Sequence, residues 1–336
     1  MTIKRNGYFF SAIFILPVFL LQGCTQSVYL LNDKFVNDSS LIDAETLNRK
    51  IKSAELKNVP FFPQIKYQCG PAAVATVANY YNINRTPEEI SREIYLPDKK
   101  GSLQVEIIAE IRSLGLIPYP LSPSLENIFI EIESGFPVLV LQNLGLKAYP
   151  VWHYAVVVGF DIEKNVLLLN SGKHERIEIP VSYFYNTWLK AAQWAIAVVP
   201  VDKLPSTANL TVFMSTIADL EELGNLEGAY SAYSLAQKKW PDSKLPLAGL
   251  GNIAYKTGEY KESIKHFLKV LEITPNDANI LNNLAYAYGR EQCFTQADKT
   301  INKAIGLQPD NKAYLSSKQE IKLWNKDGHN AHCPDN

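Results

Sequence analysis

The chain has 336 residues, a formal net charge of −1 and 20% charged residues. Because neither sign of charge is in excess, the composition excludes electrostatic attraction to nucleic acid or to an anionic lipid surface. The length is enough for two domains. Cysteine is sparse, with four residues in the whole chain, so each one can be considered separately.

The N-terminus predicts an exported lipoprotein. A positive segment around Lys4 precedes the apolar residues 8–21, which fall short of the ~20 residues that a membrane-spanning helix needs. A lipobox follows, with the sequence Leu21-Gln22-Gly23-Cys24. We predict a lipoprotein signal peptide over residues 1–23 and lipid modification of Cys24, whose acyl chains attach the protein to a membrane. The alternative is a plain secretory signal, or a short anchor that is left uncleaved.

The residues after the signal predict the destination of the lipoprotein. Thr25, rather than an aspartate, follows the lipidated cysteine, so in a Gram-negative host we expect export to the outer membrane, facing the periplasm. Residues 24–52 are polar and rich in Asn, Asp and Ser. This composition predicts a linker between the lipid and the first domain.

The next segment predicts a cysteine nucleophile; its sequence is Gln64-Ile65-Lys66-Tyr67-Gln68-Cys69-Gly70-Pro71. Gly70 allows a tight turn beside the thiol, and Pro71 suits the first turn of a helix, which continues through Ala72–Tyr80. Cys69 is therefore predicted at a helix N-terminus, where the helix dipole favours thiolate over thiol. Gln64 can direct its side-chain amide toward an oxyanion beside the sulfur. The alternative is that Cys69 is a small apolar residue of the core and that Gln64 is an ordinary surface residue.

A cysteine nucleophile needs a base, and His153 is the candidate. It precedes Tyr154–Phe160, which is apolar and rich in β-branched residues and predicts a strand. A cysteine at a helix start and a distant histidine at a strand start form the papain-type arrangement. The alternative is a histidine whose only role is in the core or at the strand end.

Residues 59–200 resemble the papain-like peptidases that remove double-glycine leaders from bacteriocin precursors, together with their periplasmic and lipoprotein relatives. The matching residues are Gln64, Cys69-Gly70-Pro71-Ala72 and His153-Tyr154-Ala155-Val156-Val157. The resemblance implies that Cys69 is the nucleophile, His153 the general base and Gln64 the oxyanion donor. We expect no cofactor and no metal, because the histidines of the C-terminal tail offer too few placed ligands.

The third catalytic position departs from that family, which usually has Asp-Pro at the end of the strand after the histidine strand. Here that strand ends in Asn170-Ser171-Gly172. Asp161 lies roughly 26 Å along the strand from His153 at ~3.3 Å per residue, whereas a hairpin at residues 161–165 would return Asn170 or Ser171 to the histidine. Because papain-type enzymes orient the imidazole with an asparagine, Asn170 is the prediction. Ser171 is the alternative, and a plain turn role for Asn170 stays open.

Residues 53–204 are predicted to form a papain-like domain of the α+β class, with helices first and an antiparallel sheet second. Thr86 and Ser102 are predicted helix caps. The predicted strands are residues 137–142, 154–160, 166–169, 176–179 and 194–199. Residues 144–151 would flank the catalytic cleft, and Trp152 either forms a wall of the cleft or fills the core.

The C-terminal third is predicted to be an all-α repeat array over residues 205–326. Prolines recur every 34 residues at Pro241, Pro275 and Pro309, and the unit resembles the tetratricopeptide repeat. The predicted units are 210–243, 244–277 and 278–311, followed by a capping helix from Lys312 to about Asn325 and a tail, 327–336. A helical bundle with coincidental prolines is the alternative.

Such arrays bind a peptide or a protein partner on the concave face. Tyr255, Asn283 and Tyr286 are predicted to line that face. We also expect residues from Leu210 onward to fold without the first domain, because stacked repeats bury their own core.

Two functions compete. The first is a lipid-anchored cysteine peptidase that acts on an envelope or secreted protein or peptide, with the repeats recruiting substrate or partner. Deamidation or acyl transfer by the same thioester chemistry stays open. The second is a non-catalytic envelope scaffold that binds protein partners through a degenerate peptidase domain and the repeats. The set Gln64, Cys69 and His153 favours the first function, and the missing aspartate favours the second. Cys293 and Cys333 could pair in an oxidising periplasm, although Cys333 lies in the polar tail.

Overall fold

The computed structural model describes residues 51–325 and Cys333. Its first four helices are Cys69–Tyr80 (α1), Pro87–Ile94 (α2), Gln104–Ser113 (α3) and Leu125–Glu133 (α4). The start of α2 is a capping box, since the Thr86 hydroxyl accepts from the Glu89 backbone and the Glu89 carboxylate accepts from the Thr86 backbone. The predicted Ser102 cap is wrong, because α3 begins at Gln104 with Leu103 in the cap position.

The described residues form one seven-stranded sheet. Its strands are Ser53–Glu55 (β1), Leu116–Pro120 (β2), Val138–Asn143 (β3), Trp152–Asp161 (β4), Val166–Ser171 (β5), His174–Pro180 (β6) and Ala195–Pro200 (β7). The order is β2-β7-β3-β4-β5-β6, with β1 paired to β4, and every pairing is antiparallel. Strands β1 and β2 were not predicted from the sequence. Strand β2 contains two prolines and lies at the sheet edge, where a missing backbone N–H is tolerated.

Alternate residues of β4 face two separate cores. Tyr154 and Val156 pack on the side of α1, in a cluster that also contains Cys69. Ala155 and Val157 pack on the opposite side, with α4 and with a helix that was not predicted, Val181–Leu189 (α5). The sheet is therefore covered on both faces.

The C-terminal part consists of paired helices. They are Leu210–Glu222 (α6), Leu226–Lys239 (α7), Lys244–Lys256 (α8), Tyr260–Ile273 (α9), Ala278–Arg290 (α10), Phe294–Leu307 (α11) and Lys312–Trp324 (α12). A Cβ at Gly251 would lie 2.5 Å from the Phe267 ring, so the small residue allows α8 and α9 to pack closely. The predicted fold class, an α+β domain followed by an all-α repeat array, is confirmed.

The first repeat helix belongs to the core of the sheet. Phe213 of α6 is fully buried and lies beside Tyr119 of β2, with ring centroids 6.4 Å apart. Glu131 of α4 is also buried, and its carboxylate accepts hydrogen bonds from the backbone amides of Ser206 and Thr207. The helix α6 therefore completes the domain before it. This shared core contradicts the expectation that residues from Leu210 onward fold alone.

The tail is attached to the repeats by a disulfide between Cys293 and Cys333, with Cα atoms 5.8 Å apart. Both residues are buried in the core of the last repeats. The structure thus resolves the pairing that the sequence left open. Over residues 51–325 and at Cys333, no helix combines the length and the apolar character that a membrane span requires. The predictions for Cys24 and the signal peptide lie outside these residues.

Candidate active site

Cys69 is the first residue of α1, as predicted, and only 2% of its surface is exposed. The cap residue, Gln68, makes no side-chain hydrogen bond to the helix start. The dipole of α1 therefore acts on the sulfur without a competing side-chain acceptor from the cap.

Gly70 is required by packing rather than by a turn. A Cβ built at Gly70 would lie 2.9 Å from both Cβ and Oγ of Ser102 and 3.1 Å from Ile107. The start of α1 and the segment before α3 therefore approach each other closely beside Cys69. The sequence instead predicted that Gly70 allows a tight turn. The contact with Ser102 could not be predicted, because it is a tertiary contact that the local sequence does not encode.

Cys69 lines a cavity of about 500 Å³. The cavity lies between the segment before α3, the end of α5 and the strands β3 and β4. Trp152 and Tyr154, the two neighbours of His153 on β4, both line it. The interpretation of Trp152 as a wall of the cleft is therefore confirmed, and 41% of its surface is exposed.

His153 is buried at the start of β4, with 6% of its surface exposed. Strand alternation directs its side chain to the face that Gln142 and Thr187 occupy, where the Gln142 amide donates to the Thr187 hydroxyl over 2.7 Å. The ring nitrogen Nε2 lies 2.8 Å from Ser171 Oγ. No described residue forms a hydrogen bond with Nδ1. Burial lowers the pKa of His153 to about 4, so the imidazole is neutral at physiological pH.

The structure corrects the position predicted for Asn170. Its amide donates to the Pro60 carbonyl over 3.2 Å, and its side-chain oxygen accepts from the Arg176 backbone over 3.0 Å. Asn170 pairs with Val156 and thus faces α1, away from the side of β4 that carries His153. Ser171, the alternative from the sequence, is the residue that meets the imidazole.

A β-bulge is the reason for this difference. The pairing of β4 with β5 shifts by one residue between Val157 and Gly159. Without the shift, Asn170 would pair with Val157 and would share a face with His153. One extra residue in a strand moves every side chain beyond it to the opposite face of the sheet, relative to the partner strand. The sequence carries no clear signal for the bulge.

The segment before Cys69 is attached to the end of β5. The backbone N–H of Gln64 donates to the Gly172 carbonyl over 2.9 Å, immediately after Ser171. With the bond from Asn170 to Pro60, this contact places the Gln64 segment next to the strand end that holds the imidazole. Gln64 is half-buried.

Two polar groups near the sulfur were not identified from the sequence as part of the site. Ser102 Oγ and Gln68 Oε1 are both buried and have no hydrogen-bond partner among the described residues. Ser102 also lines the cavity of Cys69. Its only sequence signal was that of a helix cap, which gave no indication of this location.

Among the described residues, no group of three or more His, Cys, Asp and Glu side chains is arranged to hold an ion. The cavity contains a sulfur at a helix start, and the imidazole of His153 does not line it but lies on the opposite face of β4.

Comparisons with known proteins agree with the two parts of the fold. Residues 56–196 match the Peptidase_C39 like family. Residues 251–292 match the TPR repeat, and residues 278–311 match the Tetratricopeptide repeat. The chain therefore carries a Peptidase_C39-like domain followed by tetratricopeptide repeats.

Individual relatives cover one part or the other. A stretch of 66 residues is 32% identical to Hsp70-Hsp90 organizing protein 3 of Arabidopsis thaliana, covering 18% of this chain and 12% of that protein. A stretch of 87 residues is 29% identical to Anaphase-promoting complex subunit CDC16 of Saccharomyces cerevisiae, covering 26% of this chain and 10% of that protein. The chain thus spans about a tenth of the length of these curated relatives. A solved C39-like peptidase from Bacillus anthracis is 16% identical and covers 44% of this chain and 98% of that chain, with a TM-score of 0.38.

Proposed function

We propose that the protein is a cysteine peptidase in which Cys69 is the nucleophile and His153 the general base. The observation that carries the proposal is the position of Cys69 at the start of α1, on the wall of a cavity that it shares with both neighbours of His153. The match of residues 56–196 to a peptidase family supports the same chemistry.

The proposed reaction begins with the reduced thiol. We propose that His153 Nδ1 then takes the thiol proton, which requires the start of β4 to turn the ring toward α1, because strand alternation places His153 on the face opposite Tyr154 and Cys69. The thiolate attacks the scissile carbonyl, and the tetrahedral oxyanion accepts hydrogen bonds from the Gln64 amide. The imidazolium protonates the leaving amine, and water hydrolyses the thioester to release the acid and restore the thiol.

Ser171 is proposed as a positioning residue. When Nδ1 is the acceptor, Nε2–H donates to Ser171 Oγ across the observed 2.8 Å, which fixes the tautomer that the reaction needs. A hydroxyl carries no charge, so it stabilises the imidazolium less than the aspartate of related peptidases would. The low pKa of His153, which results from burial, is consistent with a site that lacks this carboxylate.

The repeats are proposed to recruit the substrate or a partner protein. Tyr255, Asn283 and Tyr286, the residues expected on the binding face, line one cavity of about 330 Å³. Asn283 also donates to Asn252 in the same cavity over 3.1 Å. Because α6 is part of the sheet core, substrate held on the array would keep a fixed relation to the catalytic domain.

The proposal includes export as a lipoprotein anchored through Cys24 to the outer membrane and facing the periplasm. It rests on the N-terminal sequence alone. The substrate would then be an envelope or secreted protein or peptide.

A scaffold is the second candidate. Two observations favour it, the position of His153 on the face of β4 opposite Cys69 and the presence of Ser171 where related peptidases have an aspartate. In a scaffold the cavity and the repeats would bind partners without hydrolysis.

Hydrolysis of a peptide library separates the two functions. The reduced full-length protein is incubated with the library, and new peptide termini are read by mass spectrometry. A peptidase cleaves the library, Cys69→Ser abolishes cleavage, and His153→Gln slows it by about 10²–10⁴-fold. Equal cleavage by all three proteins, or none by the reduced wild type, would count against the peptidase and favour the scaffold.

A further inference from the structure

The cavity beside Cys69 combines two kinds of surface. One is apolar, and includes Leu103, Leu141, Trp152 and Tyr154. Leu103 and Trp152 keep 43% and 41% of their surface exposed. Exposed large apolar side chains that border one cavity are typical of a ligand site, because a ligand that covers them removes apolar surface from water.

The other surface is basic. Lys99, Lys100 and Lys190 line the cavity, and no Asp or Glu does so. In a chain whose net charge is −1, three lysines on one cavity wall are a local departure from the average; the exposed Asp98 precedes Lys99 but does not line the cavity. Neither Lys99 nor Lys100 forms an ion pair with any residue of the described part of the chain. Their charges therefore attract anions to the mouth of the cavity.

The lysines are held by ordered backbone. Lys99 and Lys100 lie in a closed turn, in which the Leu96 amide donates to the Gly101 carbonyl over 2.9 Å. Lys190 follows α5, and its ammonium group donates to the Gly145 carbonyl over 2.9 Å. This second contact joins the segment 144–151 to the same side of the cavity. The positive charges thus have defined positions relative to Cys69.

We propose that the site selects peptide segments in which one large apolar side chain is adjacent to acidic residues. The apolar side chain occupies the cavity between Tyr154 and Leu103, and the carboxylates lie against Lys99, Lys100 and Lys190. This proposal rests on the proposed function, because it assigns the substrate class of that same site. It predicts discrimination by charge as well as by apolar burial.

Binding tests the proposal separately from hydrolysis. Full-length Cys69→Ser protein is titrated with fluorescein-labelled peptides that differ only beside a central leucine, where they carry two Asp, two Asn or two Lys residues. Fluorescence anisotropy gives each Kd at low salt and at about 0.5 M salt. We expect the Asp peptide to bind about 5- to 10-fold more tightly than the Asn peptide at low salt, and the difference to shrink at high salt. Replacing the leucine with glycine weakens binding of all three peptides.

Lysine variants assign the preference to this cavity. Lys99→Gln together with Lys100→Gln should remove most of the difference between the Asp and Asn peptides. Lys238→Gln together with Lys239→Gln is the matched control, because these adjacent exposed lysines lie at the end of α7 and do not line the cavity. The control should keep the preference. Equal affinities for the three peptides, no measurable binding, or an unchanged preference in the first variant would overturn the proposal.

The two proposals fail in different ways. If the Asp peptide binds preferentially but the reduced wild type cleaves nothing, the substrate class stands as a binding preference and the peptidase function does not. If the wild type cleaves the Asp, Asn and Lys peptides at equal rates, the peptidase function stands and the selectivity proposal fails.

Discussion

The buried imidazole of His153 predicts a specific dependence of stability on pH. Its pKa is about 4 in the folded protein and about 6.5 in an unfolded chain. Between these values the unfolded chain binds more protons than the folded protein, so the free energy of unfolding rises with pH. The contribution of His153 is fully present above pH ~6.5 and is lost as the pH falls toward ~4.

The magnitude follows from the same two values. A difference of about 2.5 pKa units corresponds to about 3 kcal/mol, at about 1.4 kcal/mol per unit. Since His153 is almost completely buried, solvent screening does not reduce this figure substantially. The assay is urea unfolding of wild type and His153→Gln at a series of pH values from about 4 to 8.

The difference between the two proteins isolates the histidine. Other buried groups titrate in both, including Glu131, whose pKa is raised by burial and whose effect on stability has the opposite sign. Between pH 6.5 and 4, we expect the free energy of unfolding of the wild type to fall by about 3 kcal/mol relative to that of His153→Gln. Parallel curves over this range would refute a neutral, desolvated His153.

Three further predictions concern packing and the imidazole. Gly70→Ala should lower the free energy of unfolding by roughly 1–3 kcal/mol, because Ser102 must move. The control Gly306→Ala meets no neighbouring segment within 4 Å and should leave the free energy of unfolding unchanged or raise it by up to ~1 kcal/mol; equal melting temperatures of the two variants would contradict this. Phe213→Ala should lower the free energy of unfolding by about 3–5 kcal/mol and reduce the protection of β2 amides from hydrogen exchange. Val212→Ala, at the exposed neighbouring position, should do neither, and unchanged protection of β2 in Phe213→Ala would contradict the shared core. Ser171→Asp should raise the pKa of His153 by roughly 1–3 units in an NMR titration, and Ser171→Ala should not; identical titrations would argue against contact between the two side chains.

Local signals in the sequence predicted much of the fold. The capping box at Thr86, the helix start at Cys69 and the 34-residue proline period are all encoded by neighbours along the chain. For the same reason, the strands β3 to β7 could be predicted without tertiary information, whereas β1, β2 and α5 were not predicted.

Contacts distant in sequence could not be predicted in the same way. The bulge near Val157 decides whether Asn170 or Ser171 meets His153, and it depends on how two strands pair. The reason for Gly70 is the approach of Ser102 from another segment. The burial of Phe213 against Tyr119 depends on how the first repeat docks, which the period of the repeats does not specify.

The rate of alkylation of Cys69 as a function of pH tests the central claim most directly. After reduction, iodoacetamide is added at pH values from about 4 to 10, and modification of Cys69 is followed by peptide mass spectrometry in wild type and His153→Gln. Activation by α1 and His153 predicts a thiol pKa well below the ~8.5 of a free cysteine in the wild type, and a return toward that value in the variant. A pKa near 8.5 in both proteins would contradict a catalytic Cys69.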